Sequence, residues 1–139
     1  MRKIKKPMMA LAAGSMLLST GGSVGANLCA VTTCRDVAVN HSSSNRNSSA
    51  TPAWRSVTLR GNNSANSNGS ARVRAQFRVD LPLGMWRWDN DVSRNLAPGA
   101  NSGNVNATAF AAGNARRWRA RIEPSARVTA TARVTRRNP

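Results

Sequence analysis

The feature that most constrains this chain is a strict alternation of apolar and polar residues over residues 70–81. The apolar positions are Ala71, Val73, Ala75, Phe77, Val79 and Leu81, and arginine, glutamine or aspartate stands between them. Successive side chains of an extended backbone point to opposite sides, so this period of two predicts a strand with one buried face. The same alternation, rich in β-branched residues, predicts a second strand over 126–135.

A third alternating run over 115–122 is followed by the turn signal Glu123-Pro124-Ser125. These two final runs are predicted to pair as an antiparallel hairpin. Weaker strand signals cover 54–60 and 105–112, and 85–88 is typical of a short edge strand. Because no stretch beyond the first 26 residues has helical periodicity, the sequence predicts an all-β fold: a small antiparallel β-sandwich, with an open barrel as the alternative.

Polar stretches separate the predicted strands. Residues 40–52, 61–69 and 95–104 are rich in Asn, Ser and Gly, which predicts long polar loops, the first of them a mobile linker. The core should be light, with Phe77, Trp118, Trp54 and Phe110 as its bulk among alanines and valines. A core of this size favours self-association as a second source of stability.

The first 26 residues have the order of a secretory signal peptide of the short, lysine-rich bacterial kind: a charged start, an apolar run over 8–18 and small residues up to Ala26. The alternative, a membrane anchor, needs a longer apolar run, since about 11 residues span only about 16 Å of a core about 30 Å thick. We therefore predict a leader over 1–26, a disulfide loop and polar linker over 27–52, a β-sandwich domain over 53–139, and a secreted, extracellular or periplasmic protein.

The charge is strongly positive, with a formal net value of +16. Removing Arg2, Lys3, Lys5 and Lys6 with the leader lowers it to +12 and leaves arginine as the only basic residue apart from His41. A chain of this charge attracts anions. Arginine binds phosphate and carboxylate through two parallel hydrogen bonds and keeps its charge near neutral pH.

Cys29 and Cys34 are the only cysteines. An even pair in an exported protein predicts a disulfide, and closing so short a loop contributes about 2 kcal/mol. The alternative is a metal or redox pair, but a single histidine cannot complete a four-ligand zinc site with two cysteines.

Residues suited to catalysis or metal binding are few. His41 stands alone in a polar stretch. Asp89 and Asp91 begin a calcium-loop pattern whose later ligands are missing, so we expect them to act as counter-ions for arginines. The sequence therefore favours a binding protein over an enzyme, without a catalytic residue, a metal or a cofactor.

Cationic residues form the most informative pattern. Residues two apart lie on the same side of a strand, about 7 Å from each other. The alternating runs thereby predict three rows of arginines that could merge into one anion-binding surface: Arg72, Arg74 and Arg78; Arg117, Arg119 and Arg121; Arg127 and Arg133. The alternative is that these arginines only solubilise the outer sides of the sheets.

Trp86 and Trp88 share strand parity, so both should face the same side. We expect them to point inward and fill the core; exposed, they could stack on sugars or bases or insert at a membrane interface. The leading hypothesis is a secreted binding module for a polyanion such as a surface glycopolymer, lipopolysaccharide or nucleic acid. Two alternatives are an antibacterial protein that acts on anionic membranes and a surface subunit that forms homo-oligomers through strand edges.

Overall fold

The computed structural model describes residues 29, 32–109 and 114–137, and in them nine strands form two antiparallel sheets. The predicted leader over 1–26 and Phe110 lie outside the described residues. The elements are β1 (Cys34–Ser42), β2 (Arg46–Asn47), β3 (Ala53–Trp54), β4 (Val57–Asn63), β5 (Ala71–Asp80), a 3-10 turn (Pro82–Gly84), β6 (Trp86–Leu96), β7 (Val105–Ala107), β8 (Arg116–Pro124) and β9 (Val128–Arg136).

The two sheets pack together as the predicted β-sandwich, which confirms the fold class. Sheet one has the order β1-β9-β4-β7. In sheet two, β5 lies between β6 and β8, and both β2 and β3 pair with the far side of β8. The edge strand expected at 85–88 is present as β6 but extends to Leu96, and β4 continues to Asn63, into the predicted polar loop.

The predicted hairpin between the last two strands is wrong. β8 pairs with β5, whereas β9 pairs with β1 and β4, so the turn at 125–127 carries the chain from one sheet to the other. Both strands turn their apolar side toward the space between the sheets. The same alternation is therefore expected for two strands paired in one sheet and for two strands in facing sheets. The sequence pattern alone does not distinguish these two arrangements.

The polar stretch over 40–52, interpreted from sequence as a linker, contributes to both sheets. β1 runs through His41 to Ser42 beside β9, and the following residues add to the free edge of β8. The amides of Ser48 and Thr51 donate to the carbonyls of Ala120 and Trp118, at 2.9 and 2.8 Å. Backbone pairing along an edge does not need apolar side chains, which is why composition gave no sign of it.

The core is built mostly from small residues around three aromatic rings, those of Trp54, Phe77 and Trp118. The alanines and valines of β5, β8 and β9 that face inward are buried, and Trp118 is fully enclosed. Its indole Nε1 donates to the carbonyl of Trp54 at 2.9 Å, and its ring lies 5.6 Å from that of Phe77. Beside this core, Cys29 and Cys34 form the predicted disulfide, with Cα atoms 5.5 Å apart.

The two sheets approach each other closely at Gly61. A Cβ atom placed on this residue of β4 would lie 2.7 Å from a methyl carbon of Val73 in β5. Any larger residue must therefore push the sheets apart or force Val73 out of place.

We expect Gly61→Ala to lower the free energy of unfolding by about 1 to 3 kcal/mol, because it overpacks this contact. Val73→Ala alone should also destabilise the protein, since it leaves a small cavity. The double variant should recover part of the loss, so that the two effects are less than additive in denaturant unfolding. Strict additivity would contradict the proposed contact.

Candidate anion-binding face

Six of the eight predicted arginines lie together on the outward side of sheet two. β5 and β8 are adjacent, and their register pairs Arg74 with Arg121 and Gln76 with Arg119. Their inward-facing neighbours are buried in the core, so the alternating residues project outward. We call this surface the arginine face; its members are Arg72, Arg74, Arg78, Arg117, Arg119 and Arg121.

The other two predicted arginines lie elsewhere. Arg133 is on β9 in sheet one, where its guanidinium pairs with Asp36 at 3.2 Å. Arg127 is exposed in the turn between β8 and β9. The third predicted row does not join the other two, because the chain changes sheets at that turn.

Glu123 forms ion pairs with two arginines that face each other across neighbouring strands. Arg74 and Arg121 are directly paired across β5 and β8, an arrangement that like charges make unfavourable without a counter-ion. The Glu123 carboxylate lies 3.0 Å from Arg74 Nε and 2.8 Å from Arg121 Nε, so one acid serves both arginines. Burial opposes ionisation of this carboxyl, but the hydrogen bonds and charges of Arg121 and Arg74 outweigh it and lower its pKa.

Trp86 and Trp88 do share one face, but the prediction that they point inward is wrong. In the register of β5 and β6, Trp88 lies beside Arg78 and Trp86 beside Asp80, on the outward side. The guanidinium carbon of Arg78 lies 4.4 Å from the Trp86 ring centroid, and that of Arg119 lies 4.4 Å from Trp88. The interior is already filled by other large side chains, among them Trp54 and Trp118.

Each of these guanidinium groups lies over an indole ring. A guanidinium that meets a ring with its flat side keeps its in-plane N–H groups available for other partners. Arg119 Nε donates to Gln76 Oε1 at 2.8 Å, and Arg78 Nε lies 3.3 Å from Asp80 Oδ1. Stacking thus fixes the position of both cations without using all of their donors.

Positive charge on the arginine face exceeds the negative charge beside it. Only Glu123 and Asp80 supply carboxylates to the six arginines on this side of the described sheet. Arg72 and Arg117 are exposed, and within the described residues neither side chain has an ion pair. Burial and the charge of Arg121 both lower the pKa of Arg119, as expected where like charges are incompletely neutralised.

A cavity of about 240 Å³ opens at one end of the arginine face. The residues that line it are Ala53, Arg78, Asp80, Ala115, Arg116 and Arg117. The Nε of Arg116 is buried there without a hydrogen-bond partner. The sequence analysis did not single out Arg116. It could have done so, because Arg116 lies two positions before the buried Trp118 and therefore on the inward side of β8.

The remaining polar candidates have structural contacts. Asp89 pairs with Arg87 at 2.7 Å, which confirms the counter-ion prediction, whereas Asp91 accepts a hydrogen bond from the Ala109 amide at 2.6 Å. Hydrogen bonding and charge from Arg87 lower the pKa of Asp89 despite a small opposing effect of burial. His41 is exposed, with its backbone amide bonded to Thr129 Oγ1 at 3.1 Å. Across the described residues, no group of three or more His, Cys, Asp or Glu side chains is arranged to hold a metal ion.

Two observations bear on location. The disulfide is compatible with an extracellular or otherwise oxidising compartment. Within residues 29, 32–109 and 114–137, no helix is long and apolar enough to cross a bilayer.

Comparisons of the chain with known protein families, with curated proteins and with solved structures find no match. The arrangement of its own side chains is therefore what indicates a function.

Glu123→Gln should weaken the fold near neutral pH and flatten its response to acid. Folding lowers the pKa of Glu123, so its ionised form stabilises the protein above the unfolded value of about 4.3, and this contribution is lost as the pH falls through the folded value. We expect a loss of about 1 kcal/mol at neutral pH and a smaller further loss on acidification than in the unmodified protein.

Urea unfolding at a series of pH values between neutral and strongly acidic measures this effect. Asp80→Asn is the matched control, because it removes a carboxylate from the same face at an exposed pair. Equal pH profiles for Glu123→Gln and the unmodified protein would contradict the role assigned to Glu123.

Proposed function

We propose that this chain is a secreted binding protein whose arginine face engages an anionic polymer, such as an acidic surface glycopolymer, lipopolysaccharide or nucleic acid. The observation that carries the proposal is the side-by-side placement of six arginines from two neighbouring strands with only two carboxylates among them. The leader expected over 1–26 and the disulfide support export to an oxidising compartment.

Electrostatics favours an anion on this surface for two reasons. The first is direct attraction to exposed guanidinium groups such as Arg72 and Arg117. The second is relief of repulsion between arginines whose positions along and across the two strands are only about 5 to 7 Å apart. An arriving anion therefore stabilises both the complex and the folded protein.

The shape of the site favours a polymer over a single small anion. The arginines follow two strands across an open side of the sheet, so a ligand with repeated charges can contact several of them at once. Polar residues lie between and beside the charges: Gln76 on β5, Asn90 on β6 and Asn47 on β2, the last of which accepts a hydrogen bond from Arg121 at 2.8 Å. Gln76 is buried and bonded to both Arg119 and Asn90, so it orders the face, whereas the exposed Asn47 and Asn90 amides can meet the hydroxyl groups of a sugar chain.

A heparin column tests the proposal. The mature protein should remain bound until well above about 0.2 M salt, because neutralising several charges in a polymer gives steep salt dependence. Arg72→Gln combined with Arg119→Gln should elute at distinctly lower salt. Arg60→Gln combined with Arg127→Gln removes the same charge from outside the arginine face and should elute close to the unmodified protein.

Two outcomes would contradict the proposal. Elution below about 0.2 M salt would remove the case for a polyanion ligand. Equal shifts for the two double variants would show that net charge, and not the arginine face, governs binding. Concentration-dependent oligomers that are insensitive to salt would instead support assembly through strand edges.

A further inference from the structure

The turn between β5 and β6 exposes a cluster of apolar side chains beside the cavity. Leu83 is 96% exposed, Met85 61% and Trp86 48%, the three most exposed large hydrophobic residues of the described chain. Leu83 also has a φ of +65°, in the left-handed region that a leucine rarely adopts. We call residues 81–86 the apolar tip.

Nothing in the packing of the sandwich explains the apolar tip. Its backbone is closed by the amide of Leu81 donating to the carbonyl of Met85, and no side chain of the sheets covers Leu83. Apolar side chains held in water beside a tryptophan are typical of segments that enter the interfacial region of a membrane.

The cavity lies at the same end of sheet two. Asp80, which lines it, immediately precedes the apolar tip, and Arg78, which also lines it, stacks on Trp86. Three arginines and one aspartate give this cavity a formal charge of +2. A phosphomonoester, with a charge of about −1.5 to −2 and three acceptor oxygens, matches that charge and the fork geometry of guanidinium groups.

The arginines that line the cavity have N–H donors without hydrogen-bond or ion-pair partners among the described residues. Arg116 lines the cavity, and its Nε is buried without a hydrogen-bond partner, so this guanidinium has a donor that the described residues leave unused. Within the described residues the Arg117 side chain has no ion pair, and Arg78 has one, with Asp80. The cavity is smaller than the pockets of about 300 to 1,000 Å³ that hold drug-sized ligands, so it suits a single headgroup.

From these two neighbouring features we infer that the cavity binds the phosphomonoester headgroup of an anionic lipid while the apolar tip enters the bilayer surface. The lipid site shares Arg78 and Arg117 with the arginine face but goes beyond the proposed polymer binding, since it adds Arg116 and the apolar tip, which lie outside that face. The membrane supplies both parts of the ligand: a phosphate for Arg116 and Arg117, and an apolar medium for Leu83 and Met85.

Co-sedimentation with vesicles tests the inference. The probes are phosphatidylcholine vesicles that carry either phosphatidic acid, a phosphomonoester, or phosphatidylserine at matched surface charge. The unmodified protein should prefer phosphatidic acid. Arg116→Gln combined with Arg117→Gln should weaken binding to phosphatidic acid about tenfold and abolish the preference, whereas Arg60→Gln combined with Arg127→Gln should keep it.

The apolar tip is tested separately by Leu83→Ser combined with Met85→Ser. These exposed positions should tolerate the change, and binding to both kinds of vesicle should fall about fivefold or more. Binding of inorganic phosphate, followed by calorimetry, should be unchanged, which separates a lipid headgroup from free phosphate as the source of the anion. If the arginine double variant does not fold, Arg116→Lys keeps the charge, loses the planar fork and should reduce the preference.

Equal binding to the two anionic lipids, a cavity variant that behaves like the control, or unchanged vesicle binding by the apolar tip variant would each overturn the inference. Arg72→Gln combined with Arg119→Gln should keep the preference for phosphatidic acid. If the unmodified protein does not bind heparin but prefers phosphatidic acid, only the polymer proposal is contradicted. If it binds heparin but shows no preference for phosphatidic acid, only the lipid site is contradicted.

Discussion

The close approach of two sheets with small inward side chains is the constraint on which the rest of this structure depends. Alanine and valine dominate the inward positions, and at Gly61 even a Cβ atom would collide with Val73. Trp54, Phe77 and Trp118 are the large rings of this core, and the indole N–H of Trp118 donates to the backbone carbonyl of Trp54. Because successive side chains of a strand point to opposite sides, the arginines that alternate with the buried small residues of β5 and β8 lie on the outer side of sheet two.

The sequence was sufficient to predict which sides of β5 and β8 face water. The alternation over residues 70–81 and 115–122 placed six arginines on outward sides, and the structure agrees. It was insufficient to predict which strands are neighbours. β8 and β9 are joined by a short turn but lie in different sheets, so Arg127 and Arg133 are separated from the arginine face by long-range pairing that no local pattern records.

Trp86 and Trp88 illustrate a second limit. Both sides of β6 carry polar or charged residues near these rings, with Arg87 and Asp89 alternating with the tryptophans. The strand therefore lacks an apolar side of its own that would fix its orientation. Pairing with β5, whose small residues are buried, determines which side of β6 faces outward. The cation-π contacts with Arg78 and Arg119 then stabilise the outward-facing tryptophan rings.

Two pairs of indoles with different surroundings give the protein an internal optical probe. Trp54 and Trp118 are enclosed in the sandwich, while Trp86 and Trp88 lie in contact with the guanidinium groups that an anion would meet first. Unfolding would expose the enclosed pair to water, whereas an anion bound as proposed would change the surroundings of the outer pair. Tryptophan emission should therefore separate loss of the fold from binding in one unlabelled sample.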